Sequence, residues 1–129
     1  VTLAWCLDEE QAASTAAIQR ELMEQHAFVP VIWPIEVANS LVVNERRGRL
    51  DARAVERIAQ RLPLLSIRVD MEGLPRAFGR IMELARICGV TVYDACYLEL
   101  AERYKLRLAT LDARLRNAAE RQGIAIFQG

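Results

Sequence analysis

The sequence predicts an α/β fold, a three-layer α/β/α sandwich built around a mostly parallel sheet. Three observations carry this expectation. Short apolar runs of strand length alternate with longer segments of helical period, Gly and Pro mark the junctions, and no repeat, low-complexity tract or linker interrupts the order. Strands that alternate with helices imply right-handed crossovers, which place helices on both faces of a parallel sheet. The 129 residues suit one domain.

The elements follow in order. Recurrence of Ala12, Ala16 and Met23 predicts a helix over 9–26, and FVPVIW at 28–33 reads as a short buried strand. Pro34 belongs in the first turn of the next helix, whose apolar stripe is Ile35, Ala38, Leu41 and Val42 and which ends in NERRGR. Asp51 has the place of an N-cap, with Leu50 and Val55 spaced as a hydrophobic staple; Val55, Ile58, Ala59 and Leu62 form the stripe, and Pro63 closes the helix. LLSIRVD at 64–70 is a strand. A long helix then carries Leu74, Phe78, Ile81, Met82, Ala85 and Cys88 inward until Gly89 stops it. The next helix opens at Thr91 with Tyr93, Tyr97, Leu100, Ala101 and Tyr104 as its stripe. LRLAT at 106–110, a helix over 112–123 and IAIF at 124–127 complete the pattern.

Composition narrows the function classes. Hydrophobic residues make up 53% and charged residues 26%, a folded-protein balance far from that of disordered chains. Seventeen basic side chains offset seventeen acidic ones, so no global field draws the chain to nucleic acid or lipid, and any polyanion site must be local. All basic residues but Lys105 are arginine, which suits bidentate phosphate contacts, although GC-rich coding yields the same bias. Cys6, Cys88 and Cys96 form no CxxC pair, which points to a reducing compartment, the cytoplasm. No apolar run reaches membrane length, and the start is not read as a signal peptide. The lone His26 cannot build a histidine-rich zinc site and is read as a helix C-terminal cap.

Ligands of α/β sheets bind beyond the carboxyl ends of the strands, where the next helices begin, so acids there are the candidates. Glu36 follows the strand at 28–33, Asp112 follows the strand at 106–110, and Asp94 lies in the first turn of the helix from Thr91. Each has a plain structural explanation, because an acid in a first turn is stabilised by the helix dipole. Thr91-Val92-Tyr93-Asp94 also fits a capping box, and Asp112 fits an N-cap. Glu36 shares a polar face with Asn39 and Ser40, which borders either a cleft or solvent. If the three converge, mutual repulsion calls for a cation, and oxygen ligands favour Mg²⁺ or Mn²⁺, which is the equipment of a phosphodiesterase.

These residues sit in blocks that resemble a known family. FVPVIWPIEVANSLVVNERRGRL, GVTVYDACYLELAERYKLRLATLDARL and GIAIF look like the blocks of PIN-domain ribonucleases, in particular the VapC-like toxins of bacterial toxin-antitoxin pairs. The likeness spans nearly the whole chain, through Pro30, Glu36, Val37 and Asn39, through Tyr93-Asp94-Ala95, and through Thr110 and Asp112. It implies a single PIN-like domain and a metal-dependent endoribonuclease that cuts single-stranded or loop RNA, leaving a 3′-hydroxyl and a 5′-phosphate. Glu36, Asp94 and Asp112 match the second, third and fourth acids of the family; the first two would position Mg²⁺ or Mn²⁺ and the attacking water, and Asp112 would complete the metal shell. Thr110 would support them through its hydroxyl. The resemblance also implies a homodimer and a cognate antitoxin protein that blocks the site; Trp5 and Trp33 are the contact candidates the sequence offers, against the plainer reading of each as a core residue. Arg46, Arg47, Arg49 and Arg53 are candidates for holding the RNA backbone, against the plainer reading of a solvated helix end.

One departure matters. Family members open with a strand that ends in an aspartate, and no such strand precedes VTLAWCL; Asp8 and Glu9 lie too far into the next element to replace it. The expectation is that roughly ten preceding residues, one strand's length, are missing from the chain. The same departure motivates the rival reading, a non-catalytic PIN-like scaffold or interaction module. A phosphatase or response-regulator-like domain would need a nucleophilic aspartate after the first strand and finds none.

Overall fold

The computed structural model describes residues 27–127. The expected helix over 9–26, the opening residues with Trp5, Cys6, Asp8 and Glu9, and His26 lie outside the described residues. Strand β1 (Ala27–Pro30) leads through helices α1 (Trp33–Arg46) and α2 (Ala52–Arg61) to strand β2 (Ile67–Asp70). The two strands pair in parallel, Ala27 with Ile67 through Pro30 with Asp70, as a helical crossover requires. Helices α3 (Met82–Cys88), α4 (Val92–Tyr104) and α5 (Ala113–Arg121) follow.

The predicted strands at 106–110 and 124–127 are parallel to one another but shrink to one bridge, Leu108 with Ile126. Two hydrogen bonds hold it: the Leu108 amide donates to the Ala125 carbonyl (2.8 Å), and the Phe127 amide donates to the Leu108 carbonyl (2.9 Å). Beyond the bridge Thr110 Oγ1 accepts from the Asp112 amide at 3.1 Å, just before α5 begins. Every strand pairing among the described residues is therefore parallel, in keeping with the α/β expectation.

Capping chemistry was legible residue by residue. Asp51 accepts from the Ala54 amide (2.8 Å), Thr91 Oγ1 accepts from the Asp94 amide (3.0 Å), and Asp112 accepts from the Arg114 amide (2.9 Å). Gly89 ends α3 at φ 64°, a conformation that side-chain-bearing residues rarely adopt. Replacing Asp51 with Ala removes the acceptor at the start of α2, and urea denaturation should show a loss of about 1 kcal/mol. An unchanged midpoint would mean that α2 contributes nothing to the cooperative unit.

The buried faces differ from the predicted stripes. In α1 the buried residues are Val37 and Leu41, while Ile35 is 72% exposed. In α2 none is fully buried, so this helix lies at the periphery. The predicted long helix before Gly89 is broken into a 3₁₀ turn (Leu74–Arg76), a wide π turn (Ala77–Ile81) and α3, with Gly79 at φ −110° and ψ −107°. No single helical face runs through that break, and Phe78 ends up 91% exposed.

The core gathers Ile81, Leu84, Ala85 and Cys88 against Ala95, Leu98 and Ala101 of α4, with Leu108, Leu115, Ala118, Ala119 and Ile124 closing it. Helix α4 buries Ala95, Leu98, Glu99, Leu100 and Ala101; Leu100 and Ala101 belong to the predicted stripe, whereas its tyrosines stay outside the fully buried set. Its tyrosines sit at the margin because each phenol needs a polar partner. Tyr97 donates to Glu36 (2.7 Å) and Tyr104 to Glu72 (3.0 Å).

Candidate functional site

Helices α1 and α4 build the site from their first turns. Pro34 begins α1, and Glu36 lies in its first turn. Across from it, α4 places Asp94 in its own first turn and Tyr97 three residues later, on the same face. The Tyr97 hydroxyl donates to Glu36 Oε1 at 2.7 Å and ties the two helices together. Burial, then the bond to Glu36, pushes the Tyr97 phenol far above its ordinary range, with the charge of Asp94 adding to the effect. Burial and the charge of Glu36 likewise push the neighbouring Cys96 thiol up. Glu36 and Asp94 thus act on the same side chain from opposite helices.

Whether Asp94 caps its helix has a clear answer. The hydroxyl of Thr91 makes the cap, and among the described residues no hydrogen bond or ion pair engages the Asp94 carboxylate. Glu36 has no basic partner there either; its side chain accepts a hydrogen bond from Tyr97.

The acids elsewhere on α3, α4 and β2 are treated differently. Asp70 and Glu99 are both buried, at 6% and 2% exposure, and both are bound by Arg103. The guanidinium donates from Nη1 and Nη2 to the two oxygens of Asp70 at 3.0 and 2.6 Å, and from Nε to Glu99 Oε1 at 2.8 Å. Arg76 adds a 3.3 Å contact to Glu99, and the Gly73 amide donates to Asp70 Oδ2 at 3.1 Å. The hydrogen bond from Arg103 holds the Asp70 carboxyl below the usual carboxylate range against the opposing effect of burial. Glu102 and Glu83 share Arg80. These carboxylates are neutralised by arginines, whereas no basic side chain among the described residues meets Glu36 or Asp94. Sequence reading missed the Asp70–Arg103–Glu99 cluster; the spacing of Glu99 and Arg103 by four residues was its one visible signal.

Asp112 stands apart from this pair. It caps α5, with both cap bonds, from the amides of Arg114 and Leu115, falling on Oδ1. Thr110 supports it through the bond to its amide. No contact joins Asp112 to Glu36 or Asp94 among the described residues, and no group of three His, Cys, Asp or Glu side chains there is placed to hold a metal ion. Of the three predicted acids, Glu36 is bonded to Tyr97, Asp94 bears on Tyr97 through its charge, and Asp112 caps another helix start. The arginines at 46, 47, 49 and 53 are exposed around the far end of α1, and ten residues of helix put Arg46 about 15 Å along the axis from Glu36.

Comparison with known proteins places this geometry in a family. The PIN domain family matches residues 1–121. Ribonuclease VapC3 from Pyrobaculum aerophilum is 39% identical over 111 residues, covering 83% of this chain and 80% of its own. The crystal structure of PAE2754 from the same organism superposes with a TM-score of 0.60 at 22% identity, over 93% of this chain and 84% of that one, a likeness of fold. The crossover from β1 to β2, the polar first turns of α1 and α4, and a family match over nearly the whole length agree: the chain belongs to the PIN-domain family.

Proposed function

We propose that this protein is a divalent-metal-dependent endoribonuclease, a VapC-like toxin held in check by a cognate antitoxin protein. One observation carries the reading beyond family membership: Glu36 and Asp94 face Tyr97 without an arginine, while the buried carboxylates Asp70 and Glu99 share one. The ribonuclease name of the VapC3 relative supports the substrate class.

The donor set fits a hard cation. Mg²⁺ is commonly held by one or two carboxylates while keeping several waters and taking substrate phosphates, and two neighbouring carboxylates match that habit. When bound, Mg²⁺ or Mn²⁺ supplies Lewis acidity toward a phosphoryl oxygen and makes water a better nucleophile. Glu36 and Asp94 would hold the cation. Asp112, whose Oδ2 takes no part in the cap bonds, would supply the third acid, with Thr110 accepting from its amide. Arginines at the far end of α1 serve RNA phosphates away from the cut rather than the reacting one. The reading also carries a homodimer and a cytoplasmic setting; among the described residues no helix is long and apolar enough to cross a membrane.

A non-catalytic PIN-like scaffold is the second reading, favoured by the lack of a three-acid group among the described residues. Cleavage of end-labelled RNA separates the two. The full chain should cut RNA with Mn²⁺ or Mg²⁺, stop in EDTA and recover when metal is restored. RNA left intact across the metal titration would establish the scaffold.

A further inference from the structure

We propose that Tyr97 is a positioning residue for the metal site, which holds the Glu36 carboxylate in its ligating orientation. The inference rests on Glu36 being a ligand, as set out above. Glu36 stands in a first turn and is exposed, so its three rotatable bonds would otherwise leave the carboxylate free to sweep through solvent. The phenol of Tyr97 stops that motion with a 2.7 Å hydrogen bond to Oε1. Its ring is anchored, since Tyr97 is half-buried and packs against the core formed by α3, α4 and α5. The anchor therefore belongs to the rigid part of the molecule, and the bond spans 61 residues of sequence. Oε2 takes no part in this bond and is left for the cation. Groups that orient metal ligands in this way typically change metal affinity or activity by about 10- to 100-fold when removed.

Tyr97→Phe keeps the ring and its packing while deleting the donor. With the full chain and Mn²⁺ alone as probe, calorimetry should show metal affinity weakened by about tenfold or more. The metal concentration needed for half-maximal RNA cleavage should rise by the same factor, with the rate at saturating metal nearly restored and the thermal midpoint of the metal-free protein little changed. Wild-type Mn²⁺ affinity in Tyr97→Phe, while Glu36→Gln loses it, overturns the positioning role and leaves the nuclease reading intact. A wild-type chain that neither binds Mn²⁺ nor cuts RNA overturns both.

Discussion

Asp94→Asn should lower RNA cleavage by more than about 100-fold, beyond the usual loss from removing a supporting group at a metal site. The side chain it replaces has no bond to any described residue, so the folded protein has little to lose. The Thr91 cap survives, because it uses the Asp94 amide and not the carboxylate. What disappears is one charge near the helix N-terminus, worth about 0.3–1 kcal/mol. Cleavage assays paired with urea melts should show a large kinetic loss at nearly constant stability. Activity within threefold of wild type would remove Asp94 from the site. Asp112→Asn offers a sharp comparison, because asparagine caps a helix as well as aspartate does. A loss of cleavage there without a loss of stability would identify the third acid, and unchanged cleavage would leave Asp112 a cap.

Arg103→Leu should cost the fold about 3–5 kcal/mol at neutral pH, the usual penalty for breaking a buried ion pair from one side. Two carboxylates depend on this guanidinium, and their side chains are 4% and 3% exposed for Asp70 and Glu99, so water cannot replace it. The pH dependence has a definite sign. Arg103 holds the native Asp70 pKa below its unfolded value, so its contribution is complete above pH about 4 and is lost as pH falls through the lower native value. Glu102 behaves in the same direction through Arg80. In Arg103→Leu the buried Asp70 carboxylate, left without its arginine, instead takes up a proton more readily, so the deficit against wild type should shrink on acidification. Urea melts at pH 7 and about pH 4.5 test this. A deficit under 1 kcal/mol, or one that is equal at both pH values, would show that the cluster is not a structural clasp.

The outcome at each element shows what local sequence can specify. The caps at Asp51, Thr91 and Asp112 came through because an N-cap is decided by a residue and the amides two or three positions on. Gly89 as a helix stop is equally local. The stripes fared worse. Tyr93 and Tyr104 of α4 looked apolar in period but lie at the surface, at 62% and 42% exposure, while the charged Glu99 is buried. A helix enclosed on more than one side need not bury the face that is most apolar in sequence, and a carboxylate can enter the core once an arginine meets it there.

By itself, the sequence determined the α/β alternation, the helix starts and three acids placed at such starts, all of which depend on neighbours within about four residues. It could not say which acids would be neutralised. Only the tertiary structure decided that Arg103 takes Asp70, 33 residues away, and that Tyr97 reaches Glu36 across 61 residues. It also showed the Asp94 carboxylate to take no part in capping its helix. The reason is physical: a carboxylate's role is set by which cation or donor shares its surroundings, and in a packed chain that partner comes from distant sequence.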